Sequence, residues 1–98
     1  MARFDVFRLP GGALALDCQS DLLDHLASRF TVPLVPEDTL PARIPGLHPS
    51  FEIAGMMTVM ATHLAGAIPA RAMKDKVVSL AAQEYVIQRA LDALSGFA

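Results

Sequence analysis

The sequence predicts a mostly β, antiparallel α+β domain of about five strands with one C-terminal helix. Three observations lead there. Short apolar runs alternate with period two over the first two thirds of the chain. Proline and glycine punctuate those runs. The period then changes once, near the end, to that of a helix, with no repeating strand–helix rhythm before it.

"RFDVFR" opens the chain as a strand, with Phe4 and Val6 on one face and Asp5 and Phe7 on the other. "LPGG" supplies a turn, because proline presets φ and glycine accepts positive φ. "ALALDCQ" returns as the second strand, which makes a hairpin from Arg3 to about Gln19. "TVPLV" is a third strand. Pro33 cannot donate to a ladder, so this strand belongs at an edge or leaves one side unpaired.

Pro36, Pro41, Pro45 and Pro49 make the following segment an irregular connection. "HPSFEIA" and "MMTVMATHL" form a second antiparallel pair around Ala54 and Gly55, with Met57 and Val59 on one face and Met56, Thr58 and Met60 on the other. "IPARAM" is a candidate for one more short strand. From about Leu80, Ile87, Ala90, Leu91 and Leu94 recur at helical steps. Ser79 is placed to cap the start of this helix, and Gly96 to end it.

Bulk properties narrow the function. At 98 residues the chain, 1–98, is one domain and small enough to be marginal alone. It is 53% hydrophobic, with a mean hydropathy of +0.41, yet has no apolar run long enough to span a membrane and no signal-peptide core. The apolar excess points to self-association or a protein partner. A single cysteine excludes an internal disulfide and fits a reducing cytoplasm. The net charge is −2, and the eight Lys and Arg are scattered, which argues against a phosphate-binding groove built from sequence-local charge and leaves only a folded surface to gather them; no direct sequence-specific nucleic-acid binding is expected.

No constellation of residues points to catalysis or to a cofactor. Cys18 sits between Asp17 and Asp21, whose charges oppose thiolate formation, and it shares strand parity with Leu14 and Leu16; it reads as a buried structural thiol. His25, His48 and His63 lack metal-ligand spacing. Asp21 and Asp24 read as local caps. Leu22 and Leu23 are adjacent in a loop, so either one is an exposed apolar contact or both are tucked beneath it. Met56, Met57, Met60 and Met73 suit a core, or a subunit interface. The residues alone describe a small cytoplasmic, dimeric, protein-binding domain.

Several segments in order carry a resemblance that runs nearly end to end. They are "FDVF", "DCQSDLLD", "TVPL", "MATHLAGAIP", "VVSLAAQE" and "IQRALDAL" before a final glycine. In these the chain resembles the CcdB family of toxins from bacterial type II toxin–antitoxin systems. The resemblance implies an SH3-like antiparallel barrel with a C-terminal helix, assembled as a homodimer. It implies no enzymatic activity: the dimer binds the A subunit of DNA gyrase and traps the cleaved-DNA complex, and a CcdA-like antitoxin neutralises it through a segment that folds on binding.

Carried over by position, the gyrase surface would include Phe4, Phe7, Ser20, Leu22, Asp92, Gly96 and Phe97. The antitoxin would touch Leu22, Leu23 and Arg89. Met56 and Met60 would lie at the dimer interface, with one end of the last helix near the two-fold axis. The chain departs from the family at its end: the familiar members finish in Trp-Gly-Ile, whereas "LSGFA" puts Ser95 at or near the tryptophan position and Phe97 after the glycine. Two other readings stand beside this one, a ribonuclease toxin like those of the MazF/Kid group and a non-poisoning dimer that mainly binds its antitoxin.

Overall fold

The computed structural model describes residues 1–96. Alternation and turn chemistry produce seven strands: β1 (Asp5–Arg8), β2 (Leu14–Asp17), β3 (Ser28–Pro36), β4 (Ser50–Ile53), β5 (Met56–Met60), β6 (Gly66–Pro69) and β7 (Asp75–Ser79). One helix, α1 (Glu84–Ser95), follows. All pairings are antiparallel, in the order β4-β5-β3-β2-β1-β7, with β6 also paired to β3. The sheet curls into a half-barrel around a core closed by α1.

The strand count exceeds the expected five because β6 and β7 lack an alternating apolar pattern. Most of their residues are exposed. β7 lies at one end of the sheet order and carries a register shift against β1 between Val6 and Phe7. Bulges of this kind bend and twist an edge strand.

Pro33 does not mark an edge. β3 is the longest strand and is paired on both sides. Its first half, through Thr31, meets β6, and its second half, from Leu34, meets β5. Pro33 falls in the gap between those partners, so its missing N–H removes no ladder bond. Its carbonyl still accepts from the Ala61 N–H at 2.9 Å.

Two positive φ values shape the ends of strands. Ala54 (φ 51°) and Gly55 (φ 83°) form the two-residue turn between β4 and β5, the conformation whose twist matches a hairpin. Phe4 (φ 73°) stands just before β1 rather than inside it. Its N–H donates to Asp17 O at 2.6 Å, and its carbonyl accepts from Leu80 N–H at 2.8 Å. Those bonds and a buried ring hold a conformation that a bulky residue rarely adopts.

The main core joins Phe4, Val6, Leu16, Cys18, Val32 and Met60 to Ile87 and Ala90 of α1. Burying a side chain such as Ile87 completely stabilises by about 1.5–3 kcal/mol, which fixes the helix to the sheet. A smaller cluster on the opposite face holds Phe7, Ala15 and Met73. Ser79 does not cap α1: its Oγ accepts from the N–H of Ala81 (3.2 Å), the first residue of a short 3-10 turn, Ala81–Gln83, that precedes the helix. Gly96 ends the helix as expected, with φ 80° and its N–H bonded to Asp92 O.

A pair of histidines pins the long connection between β3 and β4. Ile44 N–H donates to Nδ1 of buried His48 (2.9 Å), so Nδ1 carries no proton. The Nε2–H of His48 then donates to Nδ1 of His63 (3.0 Å), just beyond β5. Nearby, the Thr62 hydroxyl donates to Leu47 O at 2.5 Å. A proton added to either histidine breaks one bond of this relay. Burial first, then the neighbouring His63, hold the His48 pKa below its ordinary 6.5.

The folded state therefore binds fewer protons here than the unfolded chain, and stability present above pH 6.5 is lost as pH falls below it. Melting temperature should drop on acidification from neutral toward pH ~5. His48→Gln should flatten that part of the profile while lowering the plateau.

Candidate functional site

The loop between β2 and β3 is built on a buried ion pair. Asp17, the last residue of β2, and Arg29, the second of β3, are both fully buried. They belong to the strand faces that carry Ala15 and Thr31, opposite the main core. Arg29 Nη2 donates to Asp17 Oδ2, and Arg29 Nη1 donates to Asp24 Oδ1 at 2.9 Å. Burial opposes the Arg29 charge, but Asp17 and Asp24 outweigh it and hold its pKa above the ordinary value.

Gln19 completes the frame. Its Oε1 accepts from Phe30 N–H (2.8 Å), and its Nε2 donates to Leu23 O (2.8 Å). Asp17 Oδ1 accepts from Gln19 N–H at 3.1 Å. The polar residues of "DCQSDLLD" thus spend themselves on backbone and on Arg29. Asp24 acts as a tie rather than a cap.

What this frame presents outward is apolar. Ser20 Oγ accepts from Leu22 N–H (3.2 Å) and starts the short 3-10 turn Asp21–Leu23. Leu22 at its apex is 88% exposed, and Leu23 and Leu26 are nearly half exposed. Of the two sequence alternatives for Leu22 and Leu23, exposure holds.

The loop is also tied to the helix. Asp21 Oδ1 accepts from Arg3 N–H (2.9 Å), Arg3 Nη2 donates to Gln88 Oε1 (2.7 Å), and Gln88 Nε2 donates to Asp92 Oδ1 (3.0 Å). Arg3 also stacks its guanidinium 4.5 Å from the Phe4 ring. Asp21, between Ser20 and Leu22, is thereby linked through one polar chain to Asp92, distant in sequence.

Other expected contacts lie elsewhere. Phe4 and Phe7 are 3% and 4% exposed, one in each core cluster, and offer no face to a partner in this conformation. Met60 pairs with Leu34 in the main core and is fully buried, so it cannot touch a second chain. Met56 and Met57 are both exposed beside the hairpin turn, whereas Thr58, Val59 and Met60 are all buried, so both faces of β5 are covered over its second half only. Arg89 lies over Tyr85 (5.8 Å) and lines a cavity of about 150 Å³ with Gly46, Pro49 and Val86. Gly96 is exposed at the helix end. Phe97 lies outside the described residues.

Cys18 is buried in the core, and burial first, then Asp17, push its thiol up to about 12. At neutral pH it is a thiol, not a nucleophile. Among the described residues no three His, Cys, Asp or Glu side chains converge on a metal position, and no helix is long and apolar enough to cross a membrane.

Removing one partner of a buried pair strands the other charge, at a cost of about 3–5 kcal/mol. Arg29→Met should therefore lower the unfolding free energy by that order in urea titration. The double variant Asp17→Leu/Arg29→Met should recover much of the loss, because no charge is left buried.

The family model of the CcdB protein matches residues 3–96. No curated protein matches the chain. Among solved structures, one described as an endoribonuclease from mycobacterial species aligns with a TM-score of 0.79 at 15% identity. The alignment covers 98% of this chain and 91% of that one. At that identity the likeness is one of fold: the curled sheet and terminal helix are shared. The family match spans both the loop after β2 and the helix tied to it, and on that match the chain belongs to the CcdB family.

Proposed function

We propose that the protein is the toxin of a type II toxin–antitoxin pair. In this reading it acts without catalysis, as a homodimer in the cytoplasm that binds the A subunit of DNA gyrase and traps the cleaved-DNA complex. A CcdA-like antitoxin neutralises it. Family membership supports the system class. The observation that carries the contact is the exposed Leu22 on a loop immobilised by Arg29, Asp17 and Gln19. A loop already fixed in its bound shape loses little entropy on binding, so its apolar anchor converts more of its burial into affinity.

Burying Leu22 contributes about 1.5–3 kcal/mol, of the size expected of an interface anchor. Leu23 and Leu26 extend the patch, Ser20 holds its apex, and Asp92 and Gly96 lie along the connected helix. Phe97 follows as the aromatic of the tail, in place of the family's tryptophan. Phe4 and Phe7 drop out of the contact set and serve instead to support it. Leu22 and Leu23 would also meet the antitoxin, and Arg89 would add a second contact region with Tyr85. Self-association is assigned to the exposed Met56, with Met57 beside it and Met60 as core beneath.

With purified gyrase, the protein should halt supercoiling and accumulate cleaved DNA. Leu22→Asp should weaken this at least tenfold while changing stability by no more than about 0.5 kcal/mol, as exposed sites do. Absence of both cleaved complex and A-subunit binding at micromolar protein would overturn the target. Sequence-specific cuts in cellular RNA would replace it with the ribonuclease reading.

Met56→Asp should convert the dimer to a monomer of unchanged melting temperature by light scattering, whereas Met60→Asp should unfold the chain by burying a charge. An intact Met56→Asp dimer would move the interface elsewhere.

A further inference from the structure

The chain has eight Lys and Arg. Five have partners. Arg29 is bound to Asp17 and Asp24, Arg43 lies 3.6 Å from Glu37, and Lys76 lies 3.5 Å from Asp5. Arg3 bonds Gln88 and stacks on Phe4, and Arg89 lies over Tyr85. The three left without a hydrogen-bond, ion-pair or aromatic partner among the described residues are Arg8, Arg71 and Lys74. All three are exposed, and all three line one surface cavity of about 290 Å³.

Two segments remote in sequence make this cavity. The β1–β2 turn brings Arg8, Leu9 and Pro10; the segment leading into β7 brings Arg71, Lys74 and Asp75. Asp75 is the cross-strand partner of Arg8 and the only carboxylate of the lining. Three cations thus face one acid, a local excess on a molecule whose net charge is −2. Cations that the fold leaves unneutralised and gathers from separate elements repel one another, and an anion between them would relieve that repulsion.

We infer that this cavity grips the phosphodiester backbone of a nucleic acid, without reading its sequence. The two non-bridging oxygens of a phosphodiester project to different sides of a tetrahedral phosphorus and can be approached by guanidinium forks and an ammonium from separate directions; a planar carboxylate presents both oxygens along one edge. Among the described residues no aromatic ring lines the cavity to stack a base, so the contact carries charge and not sequence. The volume sits at the small end for ligand sites, suited to one phosphate and its flanking sugar. This inference is independent of the gyrase target and uses a surface separate from the Leu22 loop.

Anisotropy titrations with labelled duplex DNA, single-stranded DNA and single-stranded RNA of equal length test it and distinguish the source. One phosphate contact gives a log–log salt slope of about −0.9 for duplex and about −0.7 for single strands. Affinity should then fall about 3.5-fold or about 2.6-fold between roughly 50 and 200 mM salt. Arg71→Ser/Lys74→Ser, both exposed, should retain the far-UV spectrum, weaken binding at least tenfold and flatten the salt dependence. Asp75→Asn should tighten binding, and Arg43→Ser should leave it unchanged. Inorganic polyphosphate should compete and polyglutamate should not. No binding of any strand at about 100 µM protein in low salt, unchanged binding by the double variant, or equal competition by polyglutamate would overturn the inference.

Discussion

The buried pair of Asp17 and Arg29 is the constraint on which the exposed half of this molecule rests. It ends β2, begins β3, and reaches outward to Asp24. Gln19 closes the same loop through the backbone of Phe30 and Leu23. A ten-residue excursion between two strands would ordinarily be mobile, since each free residue retains about 1–2 kcal/mol of backbone entropy. Here side chains supply the bonds that a ladder would supply, and the loop holds an apolar apex in water without collapsing onto the core.

Two faces of the same sheet divide the work. The inner face buries Leu16, Cys18, Val32 and Met60 and receives the helix. The outer face buries Phe7, Ala15 and Met73 and, further along, the ion pair. Met73 reaches it from the segment between β6 and β7, folded back by a 3-10 turn at Ala70–Ala72. Cys18, the residue that first suggests chemistry, belongs to the inner face and is inert there. What remains outside are the leucines of the loop, the methionines of the β4–β5 hairpin and the cations near β7.

The two hairpins, the irregular proline segment and the glycine-ended helix were legible because each rests on local chemistry: alternation, turn residues, period. Arg29 was not legible. An arginine on a strand reads as solvent-facing, and nothing nearby in sequence says that β6 will cover one side of it and Asp17 the other. His48 and His63 are fifteen residues apart, and only the approach of the proline segment to the turn after β5 joins them. Phe4 reads as part of a strand until its positive φ removes it. Among the contact residues, exposure at Leu22 was one of two open alternatives, while the link from Asp21 through Arg3 to Asp92 depends on tertiary structure entirely.

The position of β7 has a consequence for the solution behaviour of the protein. It ends the sheet order, so one side of its backbone has no neighbouring strand, and such an edge invites a strand from another molecule. Its two valines, Val77 and Val78, favour that association. Lys74 and Lys76 precede this short apolar stretch, just before β7 and within it, and carry charge that an incoming copy would have to desolvate. The bulge against β1 adds a twist that a flat partner strand cannot follow. The same ammonium groups thus oppose edge-to-edge pairing at one border of a sheet whose chain is rich in apolar residues.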